Sequence, residues 1–248
     1  MATLFEMQRN EGAAPDLNQA QRRAVEHGEG PLLVIAGAGT GKTRVITERI
    51  RHLLLSDSTL SGENILALTF TRKAAGEMKA RVVRAVGERA KSVTLATFHS
   101  FCESLLGEIA PGRLALDKVD HWILLRRSLA RLQLEKFRRL ADPGQFLGDF
   151  IEFFSRCQDE LVSSEDYRRY ADKLAADLKA GRGALDEETY TERAEHAARQ
   201  HEIARAYRAS EELLREKNAV ALNGLIVETV RVLGEDAALR RRLQERFR

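Results

Sequence analysis

The residues best placed to do chemistry in this 248-residue chain form one run, Ala36-Gly37-Ala38-Gly39-Thr40-Gly41-Lys42-Thr43. Small residues let a backbone curl around a phosphate with successive N–H groups aimed inward, and a helix starting at the end of the loop turns its positive pole to the anion. Lys42 would then reach the β- and γ-phosphates of a nucleoside triphosphate, and the Thr43 hydroxyl would ligate Mg²⁺. Ala36 departs from the glycine of the strict pattern, a change tolerated while φ stays negative. The alternative, a glycine-rich turn that binds nothing, is disfavoured by the intact Gly41-Lys42-Thr43 and its flanking elements.

Those elements follow from periodicity. Asn18 is placed to cap a short helix through Gln21 and Val25, and Gly28, Gly30 and Pro31 then break the chain. Leu32–Ala36 is an apolar run bounded by turn residues, predicting a buried strand, and Val45, Ile46, Ile50, Leu53 and Leu54 recur at helical spacing. The alternation repeats: strand at Ile65–Phe70, helix at Arg72–Val86, strand at Val93–Thr97, helix at Phe98–Ile109. Such an order predicts an α/β parallel sheet with covering helices. Beyond Pro111 strand patterns vanish, and helical patterns occupy His121–Leu140, Gln145–Leu161, Glu187–Asn218 and Leu222–Arg248. Trp122 lies on an apolar stripe and reads as core, while Arg72, Lys73 and Lys79 read as a solvated helix face.

Composition narrows the class. A chain 44% hydrophobic and 31% charged has the makings of a sizeable core. The net charge of +3 does not argue for nucleic-acid binding by itself, because that signal is a clustered basic face. Cys102 and Cys157 form no CxxC pair, so they read as reduced thiols of a cytoplasmic protein rather than zinc ligands or a disulfide. Residues 1–16 read as a loose lead-in without the apolar segment of a signal peptide. No run of about 18 consecutive apolar residues suggests a membrane span.

Several motifs together resemble one family. Leu17-Asn18-Gln19-Ala20-Gln21 resembles the LNxxQ motif ahead of the phosphate loop in UvrD/Rep-type superfamily 1 DNA helicases, whose loop commonly begins with Ala. Thr69-Phe70-Thr71-Arg72-Lys73-Ala74-Ala75, followed by Glu77 and Met78, is similar to TFTNKAAxEM, with Arg72 in place of Asn. Thr97-Phe98-His99-Ser100 resembles TFHS. Ser155–Tyr167 and Tyr207–Leu225 are similar to parts of the helical insert and its return, so the likeness extends from Leu17 to Arg248.

The resemblance implies a P-loop, RecA-like sheet with helices on both faces and an all-α insert. The segments would be 1–110 (ATP-binding core), 111–217 (helical insert) and 218–248 (return to the core). It implies ATP and Mg²⁺ as ligands, with Ala36–Thr43 on the phosphates, Gln21 reading the adenine edge and Arg44 as a further nucleotide contact. Phe70, Thr71, Phe98 and His99 would line a single-stranded DNA path, since aromatic rings stack on any base and hydroxyls hold phosphates. Each has a plainer reading: Gln21 as a surface helix residue, Phe70 and Phe98 as core aromatics, His99 as a hydrogen-bonded structural histidine.

Two departures limit the expectation. The family continues past a segment like Arg240–Arg248 into a strand ending Asp-Glu-x-x-Asp, a pattern these 248 residues do not contain. Phosphoryl transfer depends on positioning and charge stabilisation of that kind. The sheet is therefore expected to be incomplete, with strand edges unpaired. The chain by itself is expected to bind ATP, hydrolyse it poorly and not unwind DNA. It would be part of a truncated or split 3′-to-5′ repair or recombination helicase, or else a non-catalytic ATP- or DNA-binding remnant. Second, Ala221-Leu222-Asn223-Gly224-Leu225 stands where the family has an acidic DFDDL-like stretch.

Overall fold

A computed structural model describes residues 17–137, 141–142 and 144–248; the expected lead-in and the last residues of the expected His121–Leu140 helix lie outside them. The described chain is a mostly helical α/β protein with short parallel sheets. It divides into two compact units, Met1–Phe101 with Asp236–Arg248, and Cys102–Glu235.

The first unit contains α1 (Gln19–Val25), α2 (Lys42–Ser56), β1 (Leu66–Thr69), α3 (Arg72–Val86) and β2 (Thr94–Thr97), and it takes in the start of α4 (Phe98–Ile109). β1 and β2 pair in parallel, Leu66 opposite Thr94 through Thr69 opposite Thr97, with α3 as the crossover that parallel pairing requires. The core joins Ile50 and Leu54 of α2, Met78 and Val82 of α3, and Ile65, Ala90 and Val93 near the strands.

One expected strand does not form. Leu32–Ile35 makes no ladder, and Leu33 and Ile35 are 84% and 92% exposed. Apolar composition selects a strand only where a neighbouring backbone accepts its hydrogen bonds. Among the described residues the ladders are those of two two-stranded sheets, neither of which includes this run.

In the second unit, β3 (Leu114–Leu116) leads to α5 (Lys118–Arg127), α6 (Leu147–Asp159), α7 (Ser164–Ala180), α8 (Glu187–Glu216), β4 (Ala219–Ala221) and α9 (Gly224–Glu235). α10 (Ala237–Arg246) returns to the first unit. Strands therefore do occur beyond Pro111: β3 and β4 pair in parallel across more than a hundred residues of sequence. Each has three residues, too few to show alternation. The expected helix from His121 starts earlier and ends at Arg127, where a short 3₁₀ turn takes over. α7 was not anticipated; its start signal is the reciprocal Ser163/Asp166 capping box. The single helical stretch expected over Leu222–Arg248 is divided at Asp236, whose carboxylate accepts the N–H groups of Ala238 and Leu239. Trp122 is 39% exposed rather than core.

The core of this unit stacks aromatic rings. Phe154 lies 4.6 Å from Tyr207 and 5.9 Å from Phe150, both nearly parallel. Two buried polar groups specify the packing. The Glu202 carboxylate accepts the N–H groups of Glu135, Lys136 and Phe137 at 2.8, 2.9 and 3.1 Å. His121 of α5 shares a 2.8 Å hydrogen bond with Ser210 of α8. Burial disfavours its imidazolium and pushes the pKa down from 6.5 to about 4.

Because the folded value lies below the unfolded one, the unfolded chain binds a proton first as pH falls. His121 stabilises the fold fully above about pH 6.5, and this is lost progressively down to about pH 4, roughly 3 kcal/mol in all. Urea denaturation at pH 7 and pH 4 should show that loss in the native chain, and a loss smaller by about that amount in His121→Gln. Equal pH dependence in the two chains would contradict this account.

Candidate functional site: the glycine loop and the strand ends

The loop Ala36–Thr43 is solvent-exposed apart from a half-buried Ala36, Gly41 and Thr43, and it runs directly into α2. Gly39 and Gly41 have φ of +75° and +89°. The left-handed region penalises any side chain, so glycine is the residue that lets the backbone turn here. Gly41 is also the N-cap of α2 and supplies no side-chain cap. The first N–H groups of a helix have no intrahelical partner, so this N-terminus presents donors and the positive end of the dipole to the loop.

Lys42 bends back over the loop. Its Nζ donates to the carbonyls of Ala36 at 3.0 Å and Gly37 at 2.7 Å, while Thr40 Oγ1 donates to Gly37 at 2.8 Å. The lysine and the helix N-terminus thus belong to one small turn, an arrangement suited to a compact polyanion. Arg44 is exposed one residue further along.

Gln21 is tied to this loop. Its backbone N–H donates to Asn18 Oδ1 at 2.9 Å, and its Oε1 accepts from the Asn18 N–H at 3.1 Å, which is a capping box. Its Nε2 donates to the Thr40 carbonyl at 3.0 Å. An amide has two N–H hydrogens and two oxygen lone pairs, so these bonds consume one of each. A side chain at position 41 would begin 3.0 Å from Gln21 Nε2, a second reason for glycine there. The physical content of Asn-x-x-Gln is therefore a helix start, a meaning its spacing alone could have supplied.

Phe70 and Phe98 follow the carboxyl ends of β1 and β2, one residue beyond the paired Thr69 and Thr97. Their rings lie 5.8 Å apart, tilted by 41°, and are 89% and 41% exposed. This excludes the plainer reading of both as core aromatics. Thr71 caps α3, its Oγ1 accepting from the Ala74 N–H at 3.1 Å, and keeps its own hydrogen to donate. His99 is half-buried. Thr97 and Ser100 bond reciprocally, Thr97 N–H to Ser100 Oγ at 2.9 Å and Ser100 N–H to Thr97 Oγ1 at 3.1 Å. In Thr97-Phe98-His99-Ser100 the outer pair starts a helix, and Phe98 between them stays exposed.

Sequence reading overlooked Arg49. Its guanidinium donates to the carbonyls of Ala24, Val25, His27 and Gly28 at 3.2, 3.2, 2.7 and 3.4 Å. Its position four residues after Val45, which packs on Ala24 and Val25, was the available signal.

Among the described residues no group of three or more His, Cys, Asp and Glu could hold a metal ion, and no helix is long and apolar enough to cross a membrane. The chain is similar to the ATP-dependent DNA helicase PcrA of Staphylococcus aureus, 52% identical over 171 residues, or 66% of this chain and 23% of that protein. It is also similar to the ATP-dependent DNA helicase PcrA of Staphylococcus epidermidis, 38% identical over 171 residues, or 66% of this chain and 22% of that protein. The chain thus spans less than a quarter of the length of these curated relatives. The family model of the UvrD/REP helicase N-terminal domain matches residues 17–248, and with its RecA-like P-loop architecture the chain belongs to that family.

Proposed function

We propose that the chain is the ATP-binding N-terminal region of an ATP-dependent 3′-to-5′ DNA helicase or translocase that acts on single-stranded DNA in repair or recombination. One observation supports this above the others. An exposed loop with two left-handed glycines feeds an uncapped helix N-terminus, beside a glutamine amide with half its hydrogen-bonding capacity unspent.

The residues fit a triphosphate. Its oxygens would take the α2 N–H groups and the Lys42 ammonium, which would leave the carbonyls of Ala36 and Gly37. Mg²⁺ keeps several waters and substrate phosphate oxygens as ligands, and the Thr43 hydroxyl would be the protein ligand that this loop supplies. The unspent Gln21 donor and acceptor match adenine, which offers N7 as acceptor and N6 as donor; guanine would set O6 against the glutamine oxygen. Phe70 and Phe98 present faces on which bases stack, with Thr71 and His99 beside them.

The 248 residues contain no Asp-Glu-x-x-Asp, so they bind ATP and turn it over poorly without the remainder of a helicase. A second reading, a non-catalytic ATP- or DNA-binding module, is favoured by Asn223, which stands in the family's acidic stretch and donates to Ser155 and Asp159. ATP affinity that responds to single-stranded DNA supports the first reading, and indifference to DNA the second.

Titration with a fluorescent ATP analogue should show Lys42→Ala weakening affinity at least about tenfold, since charge-assisted bonds to phosphate are lost. Unchanged affinity refutes the site. Anisotropy of a labelled single-stranded oligonucleotide should show Phe70→Ala/Phe98→Ala binding about 30-fold more weakly, as two stacking contacts imply. Equal affinity removes these rings from the DNA path. Phosphate release by the native chain should stay near background with or without DNA; brisk DNA-stimulated turnover would mean the missing carboxylates are dispensable.

A further inference from the structure

A helix of seven residues does not hold its own conformation in water, because nucleation leaves its ends unsatisfied. α1 is such a helix, and it bears Gln21. Its apolar attachment is small: Ala24 and Val25 pack on Val45 of α2, with Leu17 partly covering them. Its N-terminus is closed by the Asn18 capping box and touches the loop through Gln21 and Thr40. Its last turn, Arg22–Val25, is followed by Glu26 at the C-cap rather than a glycine, and the carbonyls there need donors.

Arg49 supplies them. From one turn beyond Val45 on α2, its fork reaches the carbonyls of Ala24, Val25, His27 and Gly28, the last turn of α1 and the residues after it. A guanidinium suits this task. It is always charged, offers five donors in a fixed plane, and lies favourably at the negative end of a helix dipole. α2 begins at Lys42, so one rigid helix bears the phosphate-gripping lysine at its start and the clamp on α1 two turns later.

We propose that Arg49 is a positioning residue that sets nucleotide specificity: by clamping the end of α1 to α2, it holds the Gln21 amide at a fixed distance from the phosphate loop, so that base reading and phosphate gripping work as one rigid site. This rests on the assignment of Ala36–Thr43 and Gln21 to ATP. It assigns Arg49 no contact with the nucleotide. Without the clamp the phosphates are still gripped by the loop and α2, while the glutamine loses its registration with the base.

The test measures binding of ATP, GTP and inorganic tripolyphosphate to the 248-residue chain by calorimetry, for the native protein, Arg49→Ala, Arg49→Lys and Gln21→Ala. The native chain should bind all three and prefer ATP over GTP. In Arg49→Ala the preference should fall about tenfold, as in Gln21→Ala, with tripolyphosphate affinity unchanged. Arg49→Lys keeps the charge without the fork, so it preserves the fold and should lose part of the preference; it decides the matter should Arg49→Ala not fold. Full preference in Arg49→Lys, or in a folded Arg49→Ala, overturns the inference. So does a fall in tripolyphosphate affinity equal to that for ATP, because Arg49 would then only support the fold. A native chain that binds neither ATP nor tripolyphosphate overturns the nucleotide assignment and this inference with it, a result distinct from retained preference.

Discussion

The N-terminus of α2 is a helix start without a side-chain cap, and the rest of the site is arranged around that unsatisfied end. Helix amides without partners must find an acceptor in the chain, in water or in a ligand. Here the chain withholds one. Gly41 has no side chain to offer, and its left-handed φ turns the preceding backbone back over the helix. The other three helix starts that bear motif residues are closed: Asn18 caps α1 and Thr71 caps α3. Thr97 and Ser100 close the start of α4 in the same manner. Among these motif-bearing starts, capping thus distinguishes the end that would receive an anion from those that only shape the fold.

The same economy appears in the motif residues themselves. Asn18, Gln21, Thr71, Thr97 and Ser100 all make local hydrogen bonds that start helices. Phe70 and Phe98 take no such part and stand exposed where two parallel strands end side by side. Ligands of open parallel sheets bind outside the carboxyl ends of the strands, and these rings lie there because β1 and β2 share a register. The second unit is organised by burial. Its stacked aromatics and its two satisfied polar groups, Glu202 and His121, select one packing of α5, α6 and α8.

Local signals were legible wherever local physics decides. The bounds of α3 and α4 follow from apolar spacing with a threonine at the start, and the glycine loop is readable because few residues tolerate φ near +80°. Signals failed where a partner distant in sequence decides. β3 and β4 are three residues each and exist through each other. Trp122 sits on an apolar stripe and still faces outward in part. Arg49 looks like any helix-surface arginine until the end of α1 is placed against it.

The amino-acid sequence by itself determined the glycine loop, most of the helices and their order, and the family to which the motifs point, because backbone preference and periodicity are properties of neighbouring residues. The tertiary structure alone decided three matters. Leu32–Ile35 forms no ladder, since among the described residues the paired strands are those of two sheets that do not include it. Phe70 and Phe98 meet at 5.8 Å because a crossover brings two strand ends together. Gln21 reaches Thr40 of the glycine loop while Arg49 and Val45 contact the end of its short helix. Each is a matter of which groups approach through space, and that is settled only once the chain has folded.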